Sequence, residues 1–189
     1  MLSQFHRPFN LDGRELVLTA SLGVAIYPED GASPAELLRN ADTAMYCSKE
    51  AGRNTYHYYT ESMNQGVARR LLLEEHLRGA LMRGEFRLHY QPQIELASGR
   101  LIGTEALLRW NNPELGEVSP AEFIPIAEQT GLIVSIGEYV ITESLAQLAQ
   151  WQQMAEQPLR MAVNVSPRQF RDPALVPFIE RTIKRTGVP

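Results

Sequence analysis

Three times the sequence sets a Ser-Pro pair ahead of a stretch with helical apolar spacing: Ser33-Pro34-Ala35-Glu36, Ser119-Pro120-Ala121-Glu122 and Ser166-Pro167-Arg168-Gln169. Each offers a hydroxyl N-cap, a proline in the first turn where its missing N–H costs nothing, and a Glu or Gln three residues after the cap. Ahead of each lies a run that reads as extended: residues 14–27, rich in Val, Leu and Ile, then 101–110 and 161–166. Extended runs that alternate with capped helices point to an α/β fold with a parallel sheet. The helices that follow the caps are unrelated in sequence, so the caps are not an internal repeat.

The alternation falls into two blocks. Residues 1–60 read as strand, strand, helix, strand. The helix opens at Pro34, carries Leu37, Leu38, Ala41, Ala44 and Met45 on one side, stops near Gly52, and is followed by a short aromatic strand from Tyr56 to Tyr59. Residues 61–84 have mixed charges and no proline, which predicts a joining helix with Gly66 as its weakest point. From residue 85 to 189 the pattern restarts, with strands over 86–96, 101–110 and 161–166. Helices are expected from Pro120 to near Gly131, from about Ile136 to Met154, and from Pro173 to Thr186.

Composition narrows the function. A net charge of −4 at pH 7 argues against long nucleic acid as the main partner, which usually demands a basic face, but leaves room for a small phosphate ligand. The single cysteine, Cys47, rules out an intrachain disulfide and a multi-cysteine zinc site, and its place in the first helix suits a plain helix residue. The four histidines are scattered without metal-binding spacing. No apolar run reaches the roughly 18 residues of a membrane span, and no signal peptide is recognisable, so a cytoplasmic chain without a membrane segment is expected.

The period of two sorts each strand of the second block into faces. His89, Gln91 and Gln93 share a side opposite Leu88, Tyr90 and Ile94; Glu105, Leu107 and Arg109 oppose Ala106, Leu108 and Trp110; Ala162, Asn164 and Ser166 oppose Met161, Val163 and Val165. In the second and third strands the polar groups lie towards the C-terminal end, where α/β folds build ligand sites. A carboxylate from Glu105 and an amide oxygen from Asn164 are hard ligands suited to Mg²⁺ or Mn²⁺, and Arg109 offers paired hydrogen bonds to a phosphate. Spacing alone favours a partly buried Glu105–Arg109 ion pair with Asn164 as a satisfied amide.

The strings YQPQIEL, GRLIGTEALLRW, PELGEVSPAEFIPIAEQTGLI, IGEYVI and VNVSPRQF closely resemble the EAL family of cyclic di-GMP phosphodiesterases through nearly all of residues 85–189. TASLGVAIYPEDG and LLRNADTAMYCSKEAGRN, within residues 16–59, resemble the end of a GGDEF (diguanylate cyclase) domain. The resemblance implies the end of a GGDEF-type α/β domain joined by a helix to an incomplete (β/α)₈ EAL barrel, since the 105 residues from 85 onward fall short of the roughly 250 of a full barrel. It implies that Glu105 and Asn164 are catalytic metal ligands, that Gln91, Leu107 and Arg109 contact cyclic di-GMP, and that Lys49 and Arg53 approach nucleotide phosphates. A solvated helix end explains the last two equally well.

For the parent protein the resemblance further implies Mg²⁺- or Mn²⁺-dependent hydrolysis of cyclic di-GMP to pGpG. It also implies a homodimer through the EAL domain and a tether to the inner membrane by an upstream segment. The GGDEF signature and the later acidic strand ends of the EAL family do not occur among the 189 residues, so this chain by itself is expected to be inactive. A non-catalytic cyclic di-GMP sensor and an inert remnant are the alternatives.

Overall fold

A computed structural model describes residues 8–155 and 157–188, so the first seven residues of the expected first block lie outside it. The chain divides into two compact units, one ending at Leu71 and the other starting at Leu72.

In the first unit, β1 (Phe9–Leu11) and β2 (Arg14–Leu16) form an antiparallel hairpin. Asp12 and Gly13 turn it with φ of 50° and 80°, the positive values that a two-residue hairpin turn demands. The long extended run expected over 14–27 is therefore split: β3 covers only Leu22–Val24 and pairs in parallel with β4 (Tyr56–Tyr58). Between them α1 (Pro34–Glu50) starts as its sequence requires, with the Ser33 hydroxyl accepting from the Glu36 N–H.

Ser48, fully buried on α1, donates to the Leu22 carbonyl at 2.6 Å and meets His57 Nδ1 at 2.9 Å, tying helix to both strands. Gly23 is there for contact: a Cβ would stand 1.9 Å from the Ala41 carbonyl oxygen and 2.2 Å from the Met45 nitrogen. Gly23→Ala must push α1 off the strands. It is expected to cost at least about 3 kcal/mol, read as a roughly 100-fold loss of hydrogen-exchange protection in α1. Unchanged protection there would refute the contact.

α2 (Glu61–Leu77) ends seven residues earlier than the helix expected over 61–84. Gly79 and Gly84, at φ of 79° and 68°, turn the chain by conformations that a continuing helix excludes. The second unit then builds a four-stranded sheet. β5 (Phe86–Ile94) pairs antiparallel with β6 (Leu101–Asn112), whose far side carries both β7 (Gly116–Val118), antiparallel, and β8 (Arg160–Val163), parallel.

The sequence reading counted three strands and missed β7, a three-residue return folded by Asn112. The Asn112 Oδ1 accepts from the Glu114 and Leu115 N–H groups, and Gly116 takes φ of 72°. The crossover from β6 to β8 runs through α3 (Pro120–Thr130) and α4 (Ile133–Gln152). α4 begins three residues before the expected Ile136. It follows the left-handed Gly131 stop of α3 almost at once and has no side-chain cap to announce it. After β8 come the single turn α5 (Pro167–Phe170) and α6 (Leu175–Thr186), the latter two residues shorter than read.

One face of this sheet is the core. Phe86, Trp110 and Val118 pack with Phe123, Ile126, Ala127, Ile133, Ile136 and Val140 from α3 and α4. Trp110 and Phe123 meet edge to face at a centroid distance of 5.5 Å. Beneath the aromatic cluster lies a buried carboxylate, Glu85, which accepts from Trp110 Nε1 at 2.8 Å, from Asn112 Nδ2 at 3.0 Å, and from Arg83 Nε. Burial opposes ionisation of Glu85, but the three donors outweigh it and hold the carboxyl down to about 2. The opposite face of the sheet is left for polar side chains.

Candidate functional site

That second face is assembled by strand register. β5 and β6 place Gln91 opposite Glu105 and His89 opposite Leu107, and the parallel β6–β8 ladder places Ala162 beside Glu105. Opposed residues share a face, so Gln91, Glu105, Leu107 and Arg109 all lie on the side away from the aromatic core. β8 ends at Val163, three residues short of the strand expected to Ser166, and Asn164 is the first residue beyond it. Being just off the ladder frees its side chain to bend across: Asn164 Nδ2 donates to Glu105 Oε1 at 2.6 Å, joining residues 59 apart in sequence.

The structure thus brings Glu105 and Asn164 into direct contact, with Leu107 and Arg109 following on the same strand. Asn164 and Gln91 are exposed, while Glu105, Leu107 and Arg109 are half-buried. No ion pair joins Glu105 to Arg109: the guanidinium donates from Nη1 to the Leu108 carbonyl at 2.9 Å instead. Its remaining donors stay available to an anion. A cavity of about 180 Å³ lies largely among core-side residues, Ala106, Leu108, Ile133 and Ile136, and is also lined by Leu107, Arg109, Asn164, Gly137 and Gln169.

The donor set suits a hard cation. The carboxylate can accept four contacts, and the Asn164 amide, turned about its last torsion, presents Oδ1 in place of its NH₂. After that turn, Glu105 and Asn164 could each offer an oxygen to one hard cation, since their side chains already meet through the Asn164 nitrogen. Among the described residues no group of three His, Cys, Asp or Glu side chains gathers to complete its shell.

Lys49 and Arg53 lie in the first unit. Lys49 is in the last turn of α1 and Arg53 follows it at φ of 62°, both exposed. Cys47, nearby on α1, is half-buried, and its burial pushes the thiol up rather than towards a reactive thiolate. No helix among the described residues is long and apolar enough to cross a membrane.

Two features of this region escaped the reading of the sequence. One is the Gln169–Gly137 contact beside the cavity, and the other is the Glu85 cluster on the opposite face. The first had a visible signal in the Ser-Pro-Arg-Gln cap. The second had none, because its partners at 110 and 112 are brought to Glu85 only by folding.

The chain is similar to known proteins over most of its length. The model of the EAL domain matches residues 74–189, and that of the diguanylate cyclase GGDEF domain matches residues 1–55. The chain is 40% identical over 185 residues, 98% of its length, to the bifunctional diguanylate cyclase/cyclic di-GMP phosphodiesterase MucR of Pseudomonas aeruginosa, of which it covers 27%. It is 38% identical to the cyclic di-GMP phosphodiesterase PdeR of Escherichia coli, over 97% of the chain and 28% of that protein. The chain spans about a quarter of the length of the curated relatives it matches. Among solved structures, a MucR phosphodiesterase in complex with c-di-GMP superposes with a TM-score of 0.59 at 41% identity, covering 62% of this chain and 47% of that one. The FimX EAL domain of Pseudomonas aeruginosa bound to c-di-GMP gives 0.54 at 33% identity, covering 62% and 46%.

Proposed function

The chain belongs to the EAL domain family, and from that premise we propose that it is part of a phosphodiesterase that hydrolyses cyclic di-GMP to pGpG. The observation that carries the reading is the Asn164–Glu105 contact at 2.6 Å, which joins an amide and a carboxylate, each with an oxygen to offer, on the strand face of a guanidinium with donors to spare. Glu105 and Asn164 hold Mg²⁺ or Mn²⁺; Arg109 orients a phosphate; Gln91 and Leu107 line the approach of the dinucleotide. The metal, when bound, supplies a Lewis acid and makes an attacking water more acidic. Arg109 contributes by fixing the diester against the face that carries Glu105, so that part of the entropy of alignment is lost on binding rather than in the reaction.

Two-metal hydrolysis needs more donors than this pair. The 189-residue chain by itself is therefore expected to bind a divalent ion weakly and to turn over no substrate. The decisive experiment is an Mg²⁺-dependent assay of pGpG release by a longer protein that contains this chain. Release supports the reading, whereas tight cyclic di-GMP binding without release assigns the protein to sensing. In that longer protein Arg109→Ala is expected to raise KM some 10- to 100-fold with kcat changed far less, since a charge-assisted bond to phosphate is worth about 1.5–3 kcal/mol. A normal KM would remove Arg109 from substrate binding.

A further inference from the structure

Asn164 stands outside the ladder, so something other than strand pairing must hold it against Glu105. On its N-terminal side β8 is fixed to β6 through Ala162 and Val163. On its C-terminal side the next anchor is the turn that opens α5. There the Ser166 N–H donates to Gln169 Oε1 at 3.0 Å, and the Gln169 N–H donates back to the Ser166 hydroxyl at 3.4 Å. That capping box would be unremarkable at the surface, but Gln169 is only 4% exposed.

Its amide is seated in a notch on α4 that exists because residue 137 is glycine: a Cβ there would lie 1.8 Å from Gln169 Nε2 and 2.6 Å from its Cδ. Arg168 fastens the same turn to the end of α3 by donating from Nη1 to the Glu128 and Gln129 carbonyls. Between this anchor and the strand the wall is not solid, for the cavity of about 180 Å³ adjoins Asn164, Gly137 and Gln169 together. The reach of Asn164 is thus set by its two flanking anchors rather than by close packing around it.

We propose that Gln169, keyed into the Gly137 notch, is a positioning residue that holds Asn164 at the distance from Glu105 at which both bind one divalent cation. The inference rests on the metal reading above and adds a supporting residue to it. Groups that orient metal ligands from behind typically change metal affinity 10- to 100-fold when removed.

The test uses the 189-residue chain with Mn²⁺ as a paramagnetic probe, following line broadening of the Asn164 side-chain NH₂ resonances by NMR. In the wild type the Asn164 signals should broaden selectively. In Gln169→Ala the Mn²⁺ concentration for half-broadening should rise at least about tenfold while resonances of the α3–α4 core stay in place. An unchanged midpoint in that variant overturns the proposal. Gln169→Glu retains an acceptor for the Ser166 N–H and is expected to stay within a few-fold of wild type; a loss as large as that of the alanine variant also overturns it.

In the longer enzyme, Gln169→Ala should raise the Mg²⁺ concentration needed for activity and leave KM for cyclic di-GMP at saturating Mg²⁺ unchanged. A merely structural role would not produce that split. Absence of selective broadening in the wild type would instead sink the metal reading itself and this one with it, so the two failures are distinguishable.

Discussion

Glu105→Ala is expected to lower cyclic di-GMP hydrolysis by a longer protein containing this chain about 1,000-fold or more. Loss of this carboxylate removes the only anionic member of the contact with Asn164. A neutral amide alone is a poor ligand for a strongly hydrated divalent ion, so the Lewis acid goes with the carboxylate. That contribution is worth several kcal/mol, and about 4 kcal/mol corresponds to three orders of magnitude in rate. The fold should survive, because Glu105 is half-buried on the face away from the aromatic core and Asn164 is exposed to water. The check is kcat at saturating Mg²⁺ alongside an unfolding curve. Turnover within tenfold of wild type would exclude Glu105 as a ligand.

Glu85→Ala should have the converse effect, a large loss of stability with little direct bearing on the site. Its carboxylate is the acceptor for Trp110 Nε1 and Asn112 Nδ2, and Trp110 is fully buried while Asn112 is 2% exposed. Truncation strands both donors where water reaches them poorly, at about 1–3 kcal/mol each, so a total near 3 kcal/mol is expected. The acid limb gives a second reading. With its folded pKa held down to about 2 and an ordinary value near 4.5, Glu85 supports the fold fully above about pH 4.5. That support fades as pH falls from there towards 2. The difference in urea midpoint between wild type and variant should therefore be largest at neutral pH and narrow at pH 3. A constant difference across that range would show that the carboxylate charge is not what stabilises the cluster.

The legible part of this fold was the part governed by local rules. Ser33, Ser119 and Ser166 cap their helices with the hydroxyl-to-backbone bonds that their sequences foretell. The two faces of β5 and β6 follow from alternation, and the register confirms that Gln91, Glu105, Leu107 and Arg109 share one of them. What stayed hidden depends on distant partners. β7 is too short to show alternation and exists because Trp110, Asn111 and Asn112 offer it a ladder. α4 has no cap, and its start is fixed by the left-handed Gly131 and by Ile133 and Ile136 entering the core.

Within the candidate site, Glu105 and Asn164 were identifiable by type and position. Their contact depended on β8 stopping at Val163 rather than at Ser166, a boundary that no residue preference marks. Gly137 carries no signal of its own in the sequence, because the space it leaves for Gln169 exists only once α4 and α5 are packed.

The β6–β8 pairing gives the Glu105–Asn164 couple an all-or-none character. Apart from β7, the chain between the two strands is the covering layer of α3 and α4, so lengthening the connection from α4 to β8 should leave the couple intact. A slip of β8 by a single step, however, would carry Asn164 through the sheet to the oily side and leave Glu105 without its companion. Divalent-ion binding would then vanish while secondary structure content stayed the same, which makes it a gauge of alignment in this molecule rather than of folding in general.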